Sequence, residues 1–261
     1  MRMKGLLTKM QTEKDHPIRY FLSLEENVIE MNLLLDKKIR IVFDHFQCTG
    51  CGKEKEIYAM GCCKNCFFTS PHTGQWIVHP ELSTAHLGKA DRDLSIESEA
   101  QLQPHIVYLA NSGGIKVGVT RKSQLPTRWI DQGAEYALPL AETQNRYEAG
   151  LIEVALKQLL SDKTNYRKML KEPAPFEDLT KIKKSILTAI PTDLQSYILN
   201  EEEIVHLEYP VHKYPEKVKS IGLKKNPIIE GILTGIKGQY LLFNDNHVFN
   251  IRNHEPQYLV F

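Results

Sequence analysis

HIVYLANSGGIKVGVT, residues 105–120, is the stretch from which the rest of the chain can be read. Two short apolar runs, 106–110 and 115–119, flank Asn111, Ser112, Gly113 and Gly114. Runs rich in β-branched and aromatic residues around an SGG turn predict a β-hairpin. Next comes PTRWIDQGA, residues 126–134, where Pro126 and Thr127 suit the opening of a short helix carrying Arg128 and Trp129. Trp129 itself suits core packing. A second, longer helix is expected from about Arg146 to Leu160. Leu151, Val154, Ala155 and Leu159 fall at helical spacing there and form one apolar stripe. Glu148 and Glu153 flank the stripe, and periodicity alone leaves Glu153 on a solvated helix face.

Beyond this helix, SDKTNYRKMLKEP allows Ser161 or Asp162 to stop one helix and cap the next. Lys163, Arg167, Lys168 and Lys171 make a local basic cluster, joined later by Lys181, Lys183 and Lys184. A charge run is ordinarily a solvated surface. Tyr166 lies within this one, however, and aromatics interleaved with cations suit a nucleic-acid strand.

The strongest chemical signal lies upstream. Cys48-x2-Cys51 and Cys63-x2-Cys66 are separated by eleven residues, and all five cysteines of the chain fall between Cys48 and Cys66. Each CxxC turn can aim two thiolates at one ion, and two such turns complete a tetrahedral zinc site of the ribbon kind. A fully thiolate-ligated ion has no open position for water, so the expected zinc is structural. The bland reading is a set of buried or redox thiols. Cys62 is the spare, because a CxxxC spacing makes the poorer knuckle. Downstream, His72, His79 and His86 are either surface and capping histidines or part of a second metal site.

The whole chain has 261 residues, of which 42% are hydrophobic, an ordinary globular composition. Its 33 basic residues nearly cancel 32 acidic ones. Any affinity for nucleic acid must therefore come from a local basic surface. No apolar run approaches the roughly 18 residues that a membrane span needs. MRMKGLLTKMQTEKD carries no apolar segment of secretory type, and clustered free cysteines suit a reducing compartment. A cytoplasmic location is expected.

The expected fold class is α+β, in five parts. Residues 1–47 form a β-rich module containing IRYFLSL and KIRIVF. Residues 48–104 hold the zinc ribbon and an irregular segment, and 105–172 the central hairpin and helices. Residues 173–203 make a helical connector, with a helix around 178–190. Residues 204–261 return to β, with EIVHLEYPV, NPIIEGILTGIKGQYLLF and HVFNI as strands. The two β-rich parts read as small barrel-like modules that pack together or complete one barrel.

A hairpin bearing Tyr108 and Lys116, then Arg128, then a helix bearing Glu153 resembles the GIY-YIG nuclease-like superfamily. VYL stands at its first tripeptide and KVG at its second, so Lys116 replaces the second tyrosine. Some branches of that superfamily carry a lysine there. The chain is also similar, along most of its length, to a bacterial family known only as a domain of unknown function. CxxCG, CxxCF, PEL…AHLG, HIVYLA, KVGVT, PTRWIDQGA, NRYEAGLIEVALK, SDKTNYRKML and GIKGQYLLF carry that likeness. The nuclease resemblance implies a divalent-metal-dependent phosphodiesterase acting on DNA or RNA. Tyr108 would be the hairpin tyrosine and Lys116 a base or phosphate ligand. Arg128 would be the phosphate clamp. Glu153, or else Glu148, would hold magnesium or manganese, and Asn165 would take the late asparagine position. Arg121, Lys163, Arg167 and Lys168 would join Asn165 in contacting the strand. The alternative, from a different class, is a non-catalytic zinc-containing protein that binds nucleic acid or assembles with it, in which Arg128 and Lys116 only hold phosphate.

Overall fold

A computed structural model describes residues 3–160 and 165–261. Along the chain, short strands β1 (Lys4–Leu6) and β2 (Gln11–Glu13) lead to β3 (Arg19–Leu24), β4 (Asn27–Glu30) and the long β5 (Lys38–Phe46). The cysteine segment follows and runs into helix α1 (Lys64–Thr69). Four single 3-10 turns, which include Pro80–Leu82, then precede α2 (Leu94–Gln101). The central run is β6 (His105–Asn111), β7 (Ile115–Arg121), α3 (Thr127–Asp131), β8 (Tyr136–Thr143) and α4 (Arg146–Leu156). Helices α5 (Tyr166–Met169) and α6 (Leu179–Ile186) lead to β9 (Val205–His206), β10 (Lys219–Ile221) and β11 (Ile228–Lys237). The chain closes with β12 (Tyr240–Phe243), β13 (His247–Asn250) and β14 (Gln257–Val260).

The expected hairpin forms in full register, from His105 opposite Arg121 to Asn111 opposite Ile115. Its turn is made by one side chain. The Asn111 carboxamide oxygen accepts the N–H groups of Gly113 and Gly114 at 3.1 and 3.0 Å, and Gly113 takes a left-handed φ of 85°. On β6 a second partner appears that the sequence analysis does not foresee. Strand β8 pairs with it antiparallel and slips register where Tyr108 meets Pro139. Proline removes a ladder donor and is tolerated inside a sheet at such an irregularity.

The resulting sheet, in the order β7-β6-β8-β9, is buried on both faces. Val107 and Leu109 point to one side, where they pack with Ala149, Ile152 and Leu156 of α4 and Leu179 and Ile186 of α6. Ile106, Tyr108 and Ala110 point to the other and join Trp129 and Ile130 of α3. That second core continues without a break into the β-rich parts, through Tyr20, Ile41, Leu233, Ile236 and Phe249. Helix α4 is seated against backbone: a Cβ on Gly150 would lie 2.3 Å from the Glu81 nitrogen. Such an approach admits glycine alone.

The two β-rich ends of the chain do not build barrels. They share one open seven-stranded sheet, β1-β14-β5-β11-β12-β13-β10, with β2-β3-β4 as a separate three-stranded sheet. The reason is long-range pairing. Strand β5 lies between β14 and β11, so residues 38–46 are held on both edges by strands some two hundred residues away. The fold is mixed α and β, as expected, without closure. Residues 67–104, read as coil, are punctuated by the short helical turns and by α2, whose start is capped by Asp93 accepting from Ile96 N–H at 3.0 Å. Among the described residues no helix is long and apolar enough to cross a membrane.

Candidate functional site

The four cysteines converge as their spacing predicts. The sulfurs of Cys48, Cys51, Cys63 and Cys66 all lie within 4.8 Å of one another. Tetrahedral zinc–thiolate bonds of about 2.3 Å require sulfurs roughly 3.8 Å apart, so the set can hold a metal such as zinc. The backbone is already shaped for it: Cys63 N–H donates to Cys48 Sγ at 3.1 Å. Burial pushes the Cys48 thiol up, but the N–H groups of Cys63, Cys51 and Gly50 prevail and bring it down to about 6. Hydrogen bonding to Cys63, with burial and the other sulfurs, drives Cys66 up to about 12. Crowded thiols of this kind ionise together only around a cation. Cys62 stays outside the cluster, with its sulfur 3.5 Å from the Thr49 hydroxyl.

The three histidines do not gather. His79 lies 3.4 Å from Glu81 and His86 stacks on Tyr147 with ring centroids 4.3 Å apart. His72 lines a cleft described below. Among the described residues the cysteines are the one group of three or more metal-ligand side chains close enough to share an ion.

Tyr108, Lys116 and Arg128 come together on one side of the sheet. Tyr108 faces Gly118 across the hairpin, and a Cβ there would lie 2.6 Å from the tyrosine hydroxyl. The glycine of the KVG tripeptide thus makes room for the tyrosine of VYL. The Tyr108 hydroxyl donates to Gln132 Oε1 at 2.9 Å, and its ring meets Trp129 edge-on at 6.0 Å. Burial raises its pKa, and the nearby Arg128 guanidinium opposes that rise. Lys116, opposite Ala110, is only 4% exposed. Burial, helped by the positive charge of Arg128, lowers its amine to about 7.

Glu153 stands apart from this trio. Its helix packs on the opposite face of the sheet, and its Oε2 lies 3.3 Å from Lys157 Nζ. Burial raises its pKa, while Lys157 and Arg146 lower it and Glu81 adds to the rise. Glu153 reaches Tyr108 through its charge, and Arg146 links it to the remaining cations. Arg146 donates to the carbonyls of Trp76 and Ile77 at 3.0 and 2.8 Å. Burial lowers it to about 10, with Glu153 opposing and Arg128 and Arg121 reinforcing. Glu148 is occupied elsewhere: it accepts from Gln144 N–H at 3.1 Å and from the Tyr197 hydroxyl at 3.0 Å, while its own N–H is capped by Asn145 Oδ1 at 3.0 Å.

Arg121, Arg128, Arg146 and Arg252 open into one cleft of about 760 Å³, which Trp76, His72 and Met60 also line. Arg146 and Arg252 are the members the sequence analysis misses. Arg146 leaves one trace: it occupies the first turn of α4, where the helix dipole disfavours a cation. Arg252 leaves none, because its turn, Arg252–His254, reaches the cleft only through the tertiary fold.

The other basic residues lie at the far end of the hairpin. A Cβ on Gly113 would come within 3.4 Å of the Lys168 side chain, placing α5 against the turn. Strand β7 runs Ile115–Arg121, so Arg121 is some seven residues, or roughly 20 Å, away. Asn165 caps α5 by accepting from Lys168 N–H at 3.3 Å, and Arg167 lies over the Tyr166 ring at 4.8 Å. Lys163 lies outside the described residues. Lys183 is turned inward to the carbonyls of Pro139, Leu199 and Glu201, while Lys181 and Lys184 pair with Asp178 and Glu202.

Residues 36–259 match the family model described as Protein of unknown function (DUF2797). The chain belongs to this family. The match spans the cysteine knuckle, the central sheet and nearly all of the seven-stranded sheet, so both the metal-ligand set and the arginine cleft lie inside the family region. No curated protein and no solved structure gives a match.

Proposed function

We propose that the arginine cleft binds the phosphate backbone of DNA or RNA and that the protein is a metal-dependent phosphodiesterase of GIY-YIG type. One observation carries the reading. Arg121, Arg128 and Arg146 line one cleft, Arg128 lies beside Tyr108 and Lys116, and Arg146 joins them to Glu153. The order hairpin, short helix, strand, long helix also supports it, as does the glycine that accommodates Tyr108.

Each residue has a defined task in this reading. Arg128 neutralises phosphate charge as it develops. Lys116, neutral in a good fraction of molecules near pH 7, accepts a proton from the attacking water. Tyr108, held by Gln132, positions Arg128. A divalent ion, when bound, would stabilise the leaving oxygen. Glu153 offers it one carboxylate, which suits magnesium or manganese when substrate phosphate supplies further oxygens. The four-cysteine set would hold a structural zinc and so fix the knuckle that carries Met60 into the cleft.

A second reading has its own support. Glu153 is 7% exposed and paired with Lys157, on a helix whose apolar side packs on the face of the sheet opposite Tyr108. A cleft built this way binds phosphate without needing that carboxylate. The assay that separates the two uses labelled single-stranded DNA, duplex DNA and RNA, with and without magnesium or manganese. Cleavage by the wild type is expected, with a loss of at least about a hundredfold in Glu153→Gln, the scale on which one electrostatic contributor is felt. Arg128→Ala should lower binding as well as cleavage. Arg167→Ala with Lys168→Ala should leave the salt dependence of binding intact, because their surface lies outside the cleft. Binding without any metal-dependent product would establish the non-catalytic reading.

A further inference from the structure

The arginine cleft does not end at its arginines. Met60 and Arg252 line it and also line a second cavity of about 760 Å³ between the cysteine knuckle and the C-terminal strands. Phe46, Ile57, Tyr58 and His254 are among the walls of that cavity. The two spaces are therefore neighbours that share a cation and an apolar side chain.

Tyr58 lies on the short rung between the cysteine pairs, and its N–H donates to the Cys62 carbonyl at 2.8 Å. Its ring is 5.8 Å from that of Phe68, and both rings are 5.2 Å from Phe67. Phe67 and Ile57 pack against the buried cysteines. Tyr58 and Phe68 do not: they are 56% and 57% exposed, and Met60 is 45% exposed. Among the described residues only one other tyrosine, phenylalanine or tryptophan, Phe176, is an exposed large hydrophobic side chain. Two large aromatic rings, one on the rung and one on α1, are thus held open to water at the knuckle, and Tyr58 lines the cavity that adjoins the cationic cleft.

Charge decides the occupant. Four arginines line the adjoining cleft, and one of them, Arg252, shares the second cavity with Tyr58. That charge favours a polyanion, and a polyanion with apolar faces is a nucleic acid. In a duplex those faces are stacked on one another, so they reach a protein ring only where the strand is unpaired. We propose that Tyr58 and Phe68 are a stacking platform for unpaired bases, and that the strand held by the arginine cleft is single-stranded as it crosses the knuckle. This rests on the phosphate-binding reading of the cleft and adds the class of strand.

The test is anisotropy with the full chain and three 12-nucleotide probes: a labelled single strand, the matching duplex, and a strand of the same length with every base removed. The wild type should bind the base-bearing single strand most tightly. Tyr58→Ala with Phe68→Ala should weaken that binding roughly tenfold or more, down to the level of the abasic strand, since each stacked base is felt on this scale. Affinity for the abasic strand should not change. Tyr58→Trp should keep the tight binding, and quenching of 2-aminopurine in the probe should vanish only in the alanine pair. Both rings are exposed, so folding is preserved, which an unchanged metal content would verify. Equal affinity of wild type and alanine pair for the single strand overturns the platform. If such binding still depends on Arg128, the cleft reading survives alone. Failure of the wild type to bind any probe overturns both, and would leave the rings as a protein-docking patch.

Discussion

Lys116 places an amine inside the sheet, 4% exposed and beside Arg128. Its two possible tasks have opposite pH signatures. A base must be neutral, so cleavage should rise with pH through about 7, the value to which burial and Arg128 bring the amine. A phosphate ligand must be charged, so affinity would fall over the same range. Lys116→Met should abolish whichever limb is present, and a wild-type pH–rate profile that is flat from 6 to 8 would remove the base role. Stability supplies a readout that is independent of activity. The unfolded chain keeps this lysine protonated to about pH 10.4, while the folded chain releases the proton near 7. Between those values the unfolded state binds more protons, so stability rises with pH. Urea denaturation at pH 7 and 9 should show wild type gaining about 2 kcal/mol more than Lys116→Met over that interval.

At the scale of elements, the features legible in the sequence were those that carry their own pattern. The paired CxxC turns and the SGG hairpin are each written within some twenty residues, and each forms where expected. Helix α4 forms too, but it ends at Leu156 and turns Ala149, Ile152 and Leu156 inward, so Val154 and Leu159 of the expected stripe are exposed. Strand β8 was not legible, because YALPLAET has a central proline and no clean alternation. It becomes a strand through the partner it finds on β6. The open seven-stranded sheet was hidden for the same reason: nothing near Lys38 announces that its neighbours lie beyond Ile228. In the candidate site, Tyr108, Lys116 and Arg128 came from the superfamily resemblance, whereas Arg252 had no signal of its own and enters only through the cleft it lines. The knuckle permits a sharp test of what local pattern can decide. Wild type and Cys62→Ser should each retain about one zinc after passage over a chelator, and Cys48→Ser should lose it. Retention by Cys48→Ser, or loss by Cys62→Ser, in elemental analysis would reassign the ligands.

At the scale of the molecule, one core joins the central sheet to the seven-stranded sheet, and a buried ion pair is set at their junction. Lys237 ends β11 with no side-chain exposure and donates to Glu135, which precedes β8. The other oxygen of Glu135 accepts Ala174 N–H at 2.9 Å. The ammonium also lies 5.6 and 5.3 Å from the ring centres of Tyr209 and Tyr214. Burial lowers the pKa of Lys237, while Glu135 resists that fall and favours the charged form. Removing one partner leaves the other charged, buried and unpaired, whereas removing both leaves an apolar contact. Lys237→Met should therefore cost about 3–5 kcal/mol, and Glu135→Leu added to it should restore a good part of that loss. Because the core is continuous across the junction, urea should unfold the wild type in a single transition seen alike by tryptophan fluorescence and far-UV circular dichroism. Additive losses in the double variant would mean that the pair is not coupled. Two separated transitions in the wild type would mean that the sheets fold independently, and that the cleft between Arg128 and Arg252 is assembled by docking two finished parts.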